Sequence, residues 1–166
     1  MTYNEADTRA NLIDPKLNMA GWTRSQVTRE HYYRPDFEYT AGRVVLRGDQ
    51  AERQAPRRVD YLLRYTDGFQ IAVVEAKEEG KSALSGLQQA KDYARDLGIA
   101  FAYSTNGRSI IEWDAFTNTT NEIDTFPKPD DLWERWRLNS GLDEPPRQAD
   151  FDRRLGELRP DRKSVV

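Results

Sequence analysis

Apolar-rich stretches punctuated by single polar residues mark the middle of the chain. Two runs there, VDYLLRY at 59–65 and FQIAVVEAK at 69–77, flank Thr66-Asp67-Gly68. Runs rich in β-branched and aromatic residues predict strands, and Asp-Gly between them predicts a tight hairpin. With Asp67 and Gly68 as the turn, Thr66 stands opposite Phe69, and counting back in step along both arms sets Asp60 opposite Glu75. Side chains opposed in this way point to the same side, with Cβ atoms roughly 4.5–5.5 Å apart. Lys77, two residues past Glu75, shares that side, roughly 6.6–6.8 Å further along the strand. A three-residue loop would slip the register by one and destroy the alignment. Val73, Val74 and Ala76 predict that the second arm is buried along much of its length.

Helical and extended patterns surround this hairpin. Thr2-Tyr3-Asn4-Glu5 has capping-box spacing, which predicts a helix starting near residue 3, running through Leu12 and Ile13 and interrupted at Asp14-Pro15. A second short helix, PKLNMAGW, should stop at Gly21. Residues 26–33 are expected to be extended, 39–46 to form another hairpin arm, and 47–56 to be a polar loop. After Lys77 the pattern changes to a helix over 83–97, closed by Gly98, with Leu87, Ala90, Ala94 and Leu97 as its buried stripe. Gln89 and Tyr93, four residues apart, share a neighbouring face. Strands IAFAYST and SIIEWD follow, joined by a turn at Asn106-Gly107. The connection through the helix to Ile99 is long enough for a parallel crossover, so the order predicts an α/β fold with a mixed sheet. PKPDDLWERWRLNSGL predicts a capped helix packed through Leu132, Trp133 and Trp136. The stretch 143–166 is charged and punctuated by proline, and reads as a linker or tail attached to one domain at 1–142.

Composition narrows the chemistry. The 166 residues contain no cysteine and one histidine, which excludes disulfides, thiolate zinc sites and His-rich metal clusters and argues against a His-based triad. No run approaches the eighteen or so apolar residues of a membrane span, and the polar N-terminus carries no signal-peptide pattern, so a cytoplasmic protein without a membrane partner is expected. The net charge of −3 does not announce a nucleic-acid binder. Arg43, Arg47, Arg53, Arg57, Arg58 and Arg64 crowd the approach to the hairpin, diluted by Asp49 and Glu52. They fit a phosphate-contacting patch and a solvated loop equally well. His31 reads as a partly buried structural residue, and Trp113, Trp133 and Trp136 as core or domain-docking residues.

The apposed carboxylates carry the chemistry. Two of them roughly 5 Å apart repel by about 3 kcal/mol at an effective dielectric near 20. Either one takes up a proton or a cation sits between them. Oxygen ligands suit Mg²⁺, with Mn²⁺ as a possible substitute. Lys77 would then orient or deprotonate an attacking water, or steady charge on a phosphate. That is the constellation of a metal-dependent phosphodiesterase. The same triplet could instead be a solvated, salt-bridged face.

Asp60, then Glu75-Ala76-Lys77, then Gln89-Ala90-Lys91-Asp92-Tyr93 resemble the PD-(D/E)xK nuclease signature with its QxxxY extension. EADTRANLIDPKLNMAGW, RRVDYLLRY, FAYSTNGRSIIEWD and FPKPDDLWERW resemble the N-terminal nuclease domain of the restriction (R) subunit of type I restriction-modification enzymes, across roughly residues 4–142. The resemblance implies a restriction-endonuclease-like α/β core, a central mixed β-sheet flanked by helices. It implies Mg²⁺-dependent, sequence-nonspecific cleavage of double-stranded DNA, with Asp60 and Glu75 as metal ligands, Lys77 as the catalytic lysine, and Gln89 and Tyr93 supporting the site. Glu5 matches an acidic position flanking the metal in such nucleases, and equally suits a capping-box partner for Thr2. The implied partners are motor domains of the same longer polypeptide and the modification and specificity subunits. The chain has no GxxxxGK[ST] loop, so any use of ATP would belong to motor domains outside it. Two alternatives stay open: a catalytically silent DNA-binding or docking module of the same fold, and a nuclease of another defence or repair system.

Overall fold

The computed structural model describes residues 2–33, 37–40, 43–46 and 56–141, and gives the backbone course alone for the strands at 37–46. Six strands form one sheet in the order β1 (Val27–Tyr33), β4 (Arg57–Thr66), β5 (Phe69–Ala76), β6 (Phe101–Thr105), β7 (Ile110–Asp114) and β8 (Thr119–Ile123). β2 (Phe37–Thr40) and β3 (Arg43–Leu46) pair as a separate antiparallel hairpin. All neighbours in the large sheet are antiparallel except β5 and β6, which run parallel. Helix α3 (Leu87–Leu97), entered through a 3₁₀ turn at Ala83–Gly86, makes that parallel crossover. This is the mixed α/β sheet expected.

The β4–β5 hairpin keeps the anticipated register. Thr66 pairs with Phe69, and Leu63, Leu62 and Tyr61 pair with Ala72, Val73 and Val74. A local irregularity at Arg64, which pairs with Gln70, cancels within two residues. Alternation therefore carries Asp60 and Glu75 onto the sheet face of Leu62 and Val73. On that face lies α3, whose Ala90 and Ala94 are fully buried. Two alanines leave the helix backbone room to sit close to the strands. Tyr93, outside the expected stripe, is buried as well, at 6% exposure. Gly98 closes the helix at φ 71°, a left-handed conformation that glycine adopts without strain.

The other face is covered by the N-terminal helices and by α4 (Pro129–Ser140), around Tyr61, Phe69, Phe101 and Tyr103. Trp133 and Trp136 stack on each other and meet the Phe69 ring edge-on, at 6.1 and 4.7 Å. The anticipated docking of α4 through Leu132, Trp133 and Trp136 is what forms.

Two expectations need correction, and one strand lay outside them. The first helix is capped by Asn4, whose side chain accepts the Asp7 N–H at 2.8 Å, and not by a Thr2–Glu5 box. The chain does not break at Asp14-Pro15. α1 (Glu5–Thr8) runs through a π turn at Arg9–Ile13 into α2 (Asp14–Met19), with Pro15 in the first turn of α2. The wider π turn, in which Asp14 N–H bonds Arg9 O, leaves Pro15 where no intrahelical N–H is required. Strand β8 was not anticipated. It is polar and mostly exposed, and its place is set by the ladder to β7. Arg43 lies in a strand whose side chains are outside the described residues, as do Arg47, Asp49, Glu52, Arg53 and the stretch 143–166. No helix among the described residues is long and apolar enough to cross a membrane.

Candidate active site

Asp60 and Glu75 lie side by side beneath the N-terminal end of α3, at 1% and 5% exposure. One oxygen of Asp60, Oδ2, accepts the Ala76 N–H at 2.8 Å, so the β5 backbone fixes the carboxylate. The other, Oδ1, faces Arg58 Nη2 at 3.2 Å and Arg9 Nη1 at 3.9 Å. Glu75 Oε1 is 3.7 Å from Lys77 Nζ, while Oε2 is buried and has no hydrogen-bond partner. Burial first, and the adjacent Asp60 carboxylate second, push Glu75 up to about 9, with Lys77 pulling the other way. A proton on Glu75 can be shared with Asp60.

Lys77 leads on to the helix. Its ammonium donates to Gln89 Oε1 at 3.3 Å, and Gln89 Nε2 donates to the Tyr93 hydroxyl at 2.7 Å. Tyr93 is braced edge-on by Tyr33 of β1, ring centroids 6.1 Å apart, and the Tyr33 hydroxyl donates to Asp96 at 2.7 Å. All five expected site residues thus converge, and Glu75, Gln89 and Tyr93 line an open cleft of about 550 Å³ together with Arg57 and Arg58. Glu5 stands 3.7 Å from Arg58 and acts electrostatically on Glu75. Among the described residues no group of three or more acidic or histidine side chains is placed to hold a metal ion.

Three contributors escaped the sequence reading. Gly86 is the first. A Cβ there would lie 2.7 Å from Ser104 Oγ, 2.9 Å from Lys77 Cε and 3.0 Å from Glu75 Cγ, so only glycine lets the turn into α3 close over the site. Glu30 is the second. It falls opposite Asp60 by the β1–β4 register, at an interruption of the pairing where its φ is 54°. Its carboxylate binds Arg9 at 3.3 Å and Arg58 at 3.4 Å. Arg9 is the third, and it stands with Arg58, one of the arginines noted near the hairpin, on Asp60 Oδ1. Only the Ser85-Gly86 pair before a helix hinted at any of these. Glu30 reaches the site through the sheet order and Arg9 through the N-terminal π turn, neither of which a local pattern encodes.

A divalent cation fits this donor set: two buried carboxylates side by side, one oxygen without a partner, and a carboxyl held protonated in the cation's absence. Mixed sheet, flanking helices and an acid pair with a lysine on adjoining strands define an α/β restriction-endonuclease-like core. No family model matches the chain. It is 33% identical over 144 residues to the type I restriction enzyme EcoAI endonuclease subunit of Escherichia coli, an alignment covering 82% of this chain and 17% of that protein. A fragment structure assigned to an HsdR subunit of a type I restriction enzyme from Vibrio vulnificus YJ016 superposes with a TM-score of 0.73. It is 39% identical and covers 87% of this chain and 27% of that one. Over most of its length, then, the chain is a homologue of one segment of the type I restriction endonuclease subunits.

Proposed function

We propose that this chain is the nuclease module of a type I restriction enzyme R subunit, a Mg²⁺-dependent endonuclease unit for double-stranded DNA that reads no base sequence itself. The observation that carries the reading is the buried Asp60–Glu75 pair beside Lys77, with one Glu75 oxygen unpartnered and Glu75 lining an open cleft. Asp60 and Glu75 would hold the cation. Once bound, it would supply a more acidic water and neutralise charge building on the phosphate.

The chain's own residues do the rest. The Ala76 N–H pins Asp60, and the close-packed Gly86 turn holds Glu75 and Lys77 in place. Lys77, held between Glu75 and Gln89, presents an ammonium that can orient the attacking water or steady a phosphoryl oxygen. Tyr93 fixes Gln89 and so limits where Lys77 can point. Water oxygen bonds to phosphorus and gives up a proton as the bond to the leaving sugar oxygen breaks, and that oxygen takes up a proton from solvent, so no net proton is gained or lost in the exchange. Translocation, sequence recognition and methylation would be work for motor domains and for the modification and specificity subunits.

The test is cleavage of unmodified DNA by the assembled enzyme carrying single substitutions in this module. Asp60→Ala, Glu75→Ala and Lys77→Ala should each lower cleavage by about 100-fold or more, with ATP hydrolysis retained. Gln89→Ala and Tyr93→Ala should lower it by roughly tenfold. A wild-type rate in Glu75→Ala refutes the assignment.

A further inference from the structure

Arg58 touches three carboxylates at once. Its guanidinium is 3.2 Å from Asp60 Oδ1, 3.4 Å from Glu30 Oε1 and 3.7 Å from Glu5 Oε1. Asp60 is buried, and its other oxygen is committed to the Ala76 N–H, so Oδ1 is the one exposed to a change of partner. Burying that charge with no cation near it would be strongly unfavourable, and Arg58 is the nearest one. Arg9 is further away, at 3.9 Å.

We propose that Arg58 is the built-in counter-cation of the site: it neutralises Asp60 while no divalent ion is bound, and a divalent ion must displace it from Asp60 Oδ1 in order to bind. The inference rests on the reading of Asp60 and Glu75 as ion ligands. Two positive groups competing for one oxygen repel each other, so each weakens the other's hold. The exchange is easy for Arg58. It gives up one carboxylate and keeps Glu30 and Glu5, and its side chain is already 38% exposed on the wall of the cleft. The left-handed backbone at Glu30 holds that second partner beside the sheet. Arg57 lines the same cleft but pairs with Asp96 at 3.2 Å, and so serves as a control for general loss of positive charge.

The experiment is calorimetric titration of the chain with Mn²⁺ alone, without DNA, together with thermal melts with and without the ion. Arg58→Gln should bind Mn²⁺ about tenfold more tightly than wild type and melt at a lower temperature without the ion, while Arg57→Gln stays within about twofold. Arg58→Lys is the conservative variant should Arg58→Gln fail to fold. It keeps the charge but cannot span the same carboxylates, and should tighten binding by a smaller factor. Unchanged or weaker binding in the Arg58 variants, or an equal shift in Arg57→Gln, overturns the proposal. The ligand reading is judged separately by Asp60→Asn: wild-type affinity in that variant, or no binding by wild type, removes both.

Discussion

Glu75 is the residue whose environment speaks most directly. Its carboxyl is pushed up to about 9, by burial first and Asp60 second, against an ordinary 4.5 in the unfolded chain. The folded state therefore binds more protons than the unfolded state between those values, and stability must fall as pH rises through that window. The stabilisation is complete below about 4.5 and lost above about 9. Without divalent cation, the melting temperature of wild type should decline between pH 5 and 9 relative to Glu75→Gln, on the order of 5 °C. Saturating Mn²⁺ should abolish the difference. Parallel pH profiles would show that the carboxyl is ionised throughout. At this scale the sequence was most informative where a side chain's position follows from strand register: Asp60, Glu75 and Lys77 needed only a turn and a period of two. Gly86 and Glu30 were hidden because their roles depend on a close approach and on a neighbouring strand.

Elements differ in how far local pattern determines them. The β4–β5 hairpin has a strong turn between two apolar-rich runs, so its pairing could be counted outward from the turn. β8 has neither an apolar face nor a breaker of its own, and it exists through hydrogen bonds to β7. The first helix looked broken because proline forbids a continued α-helical ladder, and a π turn, which has no sequence signature, removes the conflict. α4 carries a feature that sequence reasoning passed over. Arg135 reaches Glu112 through two bonds of 2.9 and 3.0 Å and Asp114 at 3.0 Å, while the buried Tyr103 hydroxyl donates to Glu112 at 2.7 Å. This network ties α4 to β7. Arg135→Met would leave two buried carboxylates without their cation, and should destabilise the fold by about 3 kcal/mol in denaturant unfolding. A change below 1 kcal/mol would mean that the aromatic contacts of Trp133 and Trp136 alone hold the helix.

For the whole molecule, the sheet order explains the site. β1, β4 and β5 set Glu30, Asp60 and Glu75 in a row, α3 lays Gln89 and Tyr93 over them, and α1 with its π turn brings Arg9 in from the side. Hairpin, helix and strand succession made the α/β class legible, because each element carried its own periodicity. The order of β1 against β4 was not legible, since it depends on long-range pairing. The charge balance also becomes clear only in three dimensions. Arg57 and Arg58, expected as free phosphate contacts or as loop charge, are engaged with Asp96 and with Asp60, Glu30 and Glu5. The central claim is that the acid pair grips a divalent ion. Anomalous scattering from a crystal of the chain soaked in Mn²⁺ tests it most directly. The account predicts a peak roughly 2 Å from carboxylate oxygens of both Asp60 and Glu75, with Arg58 turned toward Glu30 and Glu5. Density for Mn²⁺ only elsewhere, with Arg58 still seated on Asp60, would contradict it.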